Sequence, residues 1–170
     1  QVEKLVRQAP EDASRARLLA IDYRLRQQLG DSEKANASID AALARVAKLE
    51  NPADRAGALR GVAQLAGATA ADRVNATVTA TAAAVATSAA ASAPSEPAAS
   101  LERARARVQL ALACAEVGLS GQADRLAQQA LATTGLSPAD AAVVLAELMV
   151  QRDLTAAKQA QASGRYAEAE

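Results

Sequence analysis

Four prolines divide this chain at an almost regular interval, and each stands where a helix should begin. Pro10, Pro52, Pro97 and Pro138 follow one another at steps of 42, 45 and 41 residues. Asn51-Pro52-Ala53-Asp54 and Ser137-Pro138-Ala139-Asp140 are two copies of one start signal. The Asn or Ser side chain accepts a hydrogen bond from a free backbone N–H, and proline fills the first helical position without losing a bond. Asp follows three residues after the cap, where the positive end of the helix dipole favours it. Ala9-Pro10-Glu11-Asp12 is a third copy that lacks the side-chain cap. A chain punctuated in this way folds as a succession of similar units.

Glycines and polar turns then split each unit in two. The pattern predicts helices near 10–29 and 32–49 around Gly30, near 52–66 and 70–91 around Gly67, and near 98–117 and 122–134 around Gly118 and Gly121. A fourth unit starts at Pro138, with a break expected near Arg152-Asp153, a short second helix, and one further turn opening at Gly164. Leu18, Leu25 and Leu29 lie seven and four residues apart, a helical stripe and not a strand alternation. The second helices resemble one another as well. Lys34-Ala35-Asn36-Ala37-Ser38-Ile39 parallels Arg73-Val74-Asn75-Ala76-Thr77-Val78, and Ala71-Asp72-Arg73-Val74 nearly equals Ala123-Asp124-Arg125-Leu126.

Composition settles the class of element. About three residues in ten are Ala, the best intrinsic helix former, while Tyr23 and Tyr166 are the only aromatics. Sheets favour β-branched and aromatic side chains, which are scarce here. The expected fold is all-α, an α-solenoid of about four stacked helical hairpins with a period near 42. Its units lie near 10–49, 52–91, 97–134 and 138–163, with an Ala/Ser/Pro-rich connection near 88–100 in which Ala93 to Glu96 reads as loop or linker. The apolar mass is Leu, Val and Ala, so the core is expected to be thin and its helices closely approached.

The spacing Gly-x4-Ala-x3-large-x2-Ala-Leu runs through Gly30, Ala35, Ile39, Ala42 and Leu43. Gly118, Ala123, Ala127, Ala130 and Leu131 repeat it with a small residue in the large place, and Gly164-Arg165-Tyr166-Ala167-Glu168-Ala169 opens like another copy. These positions resemble the inter-helix turn and second helix of tetratricopeptide repeats, over about half the chain. The period is longer than that family's usual ~34 residues. Its aromatic positions on the first helix hold aliphatic or polar residues here. The resemblance implies helical hairpins whose small residues let the two helices approach, and a scaffold that binds protein partners along its concave first-helix face.

Several chemistries are missing from the chain. It has no His, the commonest general base and metal ligand, and a lone Cys114 builds neither a disulfide nor a thiolate metal site. Cys114 reads as a small buried helix residue. Lys plus Arg and Asp plus Glu number 19 each, so the basic excess of a nucleic-acid binder is absent. Val74 to Ser95 is free of charge but is mainly Ala, Thr and Ser with only three Val and one Asn, too polar to span a bilayer. Gly57 and Gly61 mark a close approach of two soluble helices. The triplets Asn36-Ala37-Ser38 and Asn75-Ala76-Thr77 match glycosylation acceptors but occupy equivalent points of duplicated helices. No catalytic, cofactor-binding or metal-binding residue is expected.

The reading is therefore a non-catalytic scaffold for a protein or peptide partner, of the kind found in Ala- and Arg-rich bacterial chains, without nucleic acid and without cofactor. Arg17, Arg24, Arg103 and Arg107 on the first helices of units one and three are the candidate contacts for an acidic partner, since a guanidinium pairs a carboxylate through two parallel bonds. Tyr23 joins that face or packs between helices. The alternative is a structural subunit that packs against copies of itself. Gln1 in place of Met and the helix opening at Gly164 point to a fragment or processed piece of a longer chain.

Overall fold

The computed structural model describes residues 12–91 and 97–162. The expected start at Pro10, the Ala93 to Glu96 loop and the turn at Gly164 lie outside the described residues. Seven α-helices and no strand are present among the described residues. They are α1 (Asp12–Gln28), α2 (Ser32–Ala47), α3 (Pro52–Ala66), α4 (Ala71–Ala91), α5 (Pro97–Glu116), α6 (Ser120–Leu131) and α7 (Pro138–Ala162). A 3₁₀ turn, Ala68–Ala70, precedes α4.

The start signals work as their chemistry requires. Asn51 Oδ1 accepts from the Ala53 N–H at 2.7 Å, with Pro52 in the first turn. Ser137 Oγ accepts from the Asp140 N–H at 3.1 Å, a side-chain N-cap, and donates to Asp140 Oδ2 at 2.7 Å. The helix ends are equally specific. Gly30 and Gly118 take φ of +76° and +82°, the left-handed region that a side chain resists. Around Gly30 the Asp31 N–H donates to Arg26 O at 3.0 Å and the Gly30 N–H to Gln27 O at 3.2 Å. Around Gly118 the Leu119 N–H donates to Cys114 O at 2.8 Å and the Gly118 N–H to Ala115 O at 3.1 Å. The same pair of bonds, the Schellman arrangement, thus ends α1 and α5 and reverses the chain into α2 and α6.

One expected boundary is corrected. The chain does not break at Arg152-Asp153: α7 runs unbroken from Pro138 to Ala162. No Gly or Pro lies between Ala139 and Ala162, and an Arg-Asp pair costs a helix interior only a few tenths of a kcal/mol. A polar dipeptide without a positive-φ residue does not stop a helix.

The helices pack by order in the chain. α1 lies against α2 and α3, α3 against α5, and α5 against α6 and α7, so α1, α3, α5 and α7 form a row. α4 packs on α2, α3 and α5. The main core is small-grained: Tyr23, Ile39, Leu59 and Leu110 are its largest fully buried side chains, and Ala and Val fill most of the rest. Ala35, Ala42, Ala123 and Ala130 are all buried, as the spacing predicts. A smaller cluster of Ala104, Val108, Leu112, Ala130 and Val144 holds α7 to α5 and α6.

Polar ties reinforce this thin core. Buried Asp22 on α1 accepts from Ser38 Oγ on α2 at 2.5 Å and from Arg26 Nε at 2.6 Å. Tyr23 packs between helices, its hydroxyl donating to Thr69 Oγ1 in the 3₁₀ turn at 2.9 Å. Among the described residues no helix is long and apolar enough to cross a membrane.

Because Ala42 and Ala130 have no room around them, Ala42→Leu or Ala130→Leu overpacks its hairpin. Each should lower unfolding free energy by about 1–3 kcal/mol in denaturant titration. Ala41→Leu, on the exposed side of the same helix, should leave it nearly unchanged.

Candidate interaction face

The row of first helices carries a line of polar side chains that bridges from helix to helix. Arg60 Nη1 on α3 donates to Gln109 Oε1 on α5 at 3.0 Å, and Gln109 Nε2 donates onward to Glu147 Oε1 on α7 at 3.0 Å. The Gln109 amide serves both directions because it offers an acceptor and a donor. At the N-terminal ends of α3 and α5, Asn51 Nδ2 donates to Glu102 Oε1 at 3.3 Å. Beside this line, Glu102, Arg105 and Gln109 border a shallow depression of about 380 Å³ between α3 and α5.

The line reaches α1 through a glycine. Arg17 lies across Gly61 of α3, so close that a Cβ at position 61 would stand 2.7 Å from Arg17 Nε. Gly61 is thus the near approach expected of the Gly57/Gly61 pair, whereas a Cβ at Gly57 would meet open space.

The four arginines singled out from sequence divide into two kinds. Arg17 and Arg24 are exposed on α1. Arg103 is buried at 8% exposure, its Nη2 donating to Ser100 Oγ at 2.8 Å. Arg107 is half-buried and reaches the C-terminal end of α6. There its Nη1 donates to Thr133 Oγ1 at 2.6 Å and to Gln129 O at 3.1 Å, a helix-end carbonyl that also accepts from the Thr133 hydroxyl at 3.1 Å. Desolvation by burial, and then the charge of Arg103, lower the Arg107 pKa from its ordinary value. Arg103 and Arg107 are therefore committed inside the third hairpin.

The misplacement had a readable signal. Positions 103, 107, 110 and 114 share one side of α5, and Leu110 and Cys114 on that side are buried. The outward side runs through 102, 105 and 109, which puts Glu102, Arg105 and Gln109 on the face in their place. Arg60 and Glu147 carried no sequence signal, because only the packing of α3 and α7 on α5 brings them to Gln109.

This face offers ion pairing and amide hydrogen bonding. Among the described residues no group of three or more His, Cys, Asp or Glu could hold a metal ion. Cys114, the lone thiol, is fully buried, and burial pushes its pKa up from 9.0 to about 11. A thiol held protonated in the folded state stabilises the fold below pH 9 relative to higher pH. Stability should fall as pH rises from about 9 toward 11, and Cys114→Ala should remove that component of the fall in denaturant titrations. At neutral pH the native chain should resist iodoacetamide, and the unfolded chain should react. Comparison with protein-family models, curated proteins and solved structures finds no match, so this face is read from its own geometry.

Proposed function

We propose that this chain is a non-catalytic helical-repeat scaffold that holds a protein or peptide partner along its row of first helices. The observation that carries the reading is the side-by-side packing of α1, α3, α5 and α7, joined on one face by the Arg60–Gln109–Glu147 line. Side chains already held by their neighbours meet a partner with less loss of rotamer freedom. The repeat arrangement we infer is a tetratricopeptide-like α-solenoid of three hairpins followed by the single helix α7, with a period near 42. Two things support it: the identical turns at Gly30 and Gly118, and burial at matching positions Ala35 and Ala123, Ala42 and Ala130.

Arg17 and Arg24 are the contacts proposed for an acidic partner, with Arg105 further along the row. Arg107 acts behind the face by tying the end of α6 to α5, and Arg103 is held to Ser100 within α5. The test begins with the partner retained by the immobilised chain from its native cell. Binding should weaken as salt rises, since exposed charges are screened over about 8 Å at physiological ionic strength and about 3 Å at 1 M. Arg17→Glu with Arg24→Glu should weaken binding several-fold and leave helical content, read by circular dichroism, unchanged. Binding indifferent to salt and to the double reversal removes the acidic-partner face. Failure to retain any partner removes the scaffold reading.

A further inference from the structure

Arg17 is exposed and has no hydrogen bond or ion pair with another described residue, yet its side chain lies against a neighbouring helix. An ideal Cβ at Gly61 would stand 2.7 Å from Arg17 Nε and 3.5 Å from both Cγ and Cζ. Atoms from the stem to the guanidinium therefore pass one point of α3 side-on. Non-bonded carbon atoms settle about 3.5–4.0 Å apart, so the Nε has no room for a methyl group beneath it. Gly57, one turn earlier on α3, is the contrast: a Cβ there meets nothing within 4 Å.

The local sequence explains the crossing. α1 packs on α3, and Ala16, Ala20 and Ala58 are buried in the core that the two helices share. Small residues let the helices approach, and a long side chain at the edge of that contact must lie along the neighbouring surface. Gly61 is the place where it passes.

Other long cations of this chain are held by charge. Arg26 pairs with Asp22, Arg45 with Asp12 and Arg73 with Asp40. Those guanidiniums are placed by the same N–H donors that a ligand would need. Arg17 is placed by shape, and its donors take no part in holding it. A guanidinium in that condition can offer two parallel N–H groups to the two oxygens of a carboxylate. Because its stem is already laid down, it loses less rotamer freedom on binding.

We propose that Gly61 is the positioning residue of the acidic-partner face. The space left by its missing Cβ sets Arg17 across α3 in the pose that receives an Asp or Glu carboxylate through both oxygens. Gly61 acts through Arg17 and touches no partner itself. A side chain at position 61 lifts Arg17 away from α3 and leaves a mobile point charge in place of an ordered fork. The inference rests on Arg17 as a partner contact and adds what selects the carboxylate there.

Two measurements test this, the first without any ligand. Alanine replaces glycine favourably inside a helix, so Gly57→Ala should raise the thermal unfolding midpoint by about 2–4 °C. Gly61→Ala should give less, because its methyl displaces Arg17. In a chain already carrying Arg17→Ala, Gly61→Ala should recover the full rise, which isolates the coupling between the two positions. Equal effects of Gly61→Ala in both backgrounds overturn the proposal.

The second measurement titrates hexaglutamate at low salt and follows the Arg17 and Arg24 Nε–Hε signals by NMR. Both signals should shift in the unaltered chain. Gly61→Ala should weaken binding several-fold and abolish the response at Arg17 while Arg24 still responds, which shows α1 intact. Arg17→Lys keeps the charge but not the fork and should weaken binding as much; Gly57→Ala should leave it unchanged. Gly61→Ala or Arg17→Lys binding like the unaltered chain overturns the positioning role and leaves the acidic-partner face standing. No binding by the unaltered chain, or equal binding by Arg17→Glu with Arg24→Glu, removes that face and this inference with it.

Discussion

Close approach of helices through alanine is the constraint on which this molecule depends. Burying a Leu or Phe side chain stabilises a fold by about 1.5–3 kcal/mol, and a methyl group gives far less. With no Phe or Trp and a core filled mainly by Ala and Val, area alone yields little per residue. Small side chains offset this by letting helices approach, since backbones brought together gain dispersion contacts that larger side chains would prevent. The same constraint makes single methyl positions matter. Ala35 and Ala42 can face the neighbouring helix only because nothing larger stands there.

A thin core also shifts weight onto polar ties between helices. Asp22 with Ser38 and Arg26 joins α1 to α2, and Tyr23 with Thr69 joins α1 to the turn before α4. Arg45 with Asp12 and Arg73 with Asp40 add longer reaches across the first two hairpins. Exposed pairs of this kind contribute about 0–1 kcal/mol each, so the buried Asp22 group counts for more than the surface ones. Asp22 has two donors, which is what permits a carboxylate inside. Among the described residues α7 rests on the smaller cluster around Val108 and Val144, on Leu148 against the main core and on the Glu147–Gln109 bond.

The polar line and the exposed apolar groups on α1 and α7 are products of the same packing. Laying α1, α3, α5 and α7 in a row turns one side of each toward solvent and brings Arg60, Gln109 and Glu147 into line, although they lie far apart in sequence.

The sequence by itself determined where helices start and stop, because those decisions are local. A cap residue, a proline in the first turn and a glycine at positive φ each act within a few residues, so Pro52, Pro97, Pro138, Gly30 and Gly118 could be read directly. Where a local signal was weak the reading failed, as at Arg152-Asp153, which lacks a residue able to leave the helical region. Burial of Ala35, Ala42, Ala123 and Ala130 was legible from spacing, since small residues recurring on one helical side mark a crossing. The direction of Arg103 and Arg107 was decided by tertiary structure. A long cationic side chain reads as solvent-facing until Ser100, Thr133 and the α6 carbonyls are seen to receive it. The Arg60–Gln109–Glu147 line and the exposed apolar groups on α1 and α7 likewise belong to the fold alone, because both depend on which helix lies beside which, and no local signal carries that.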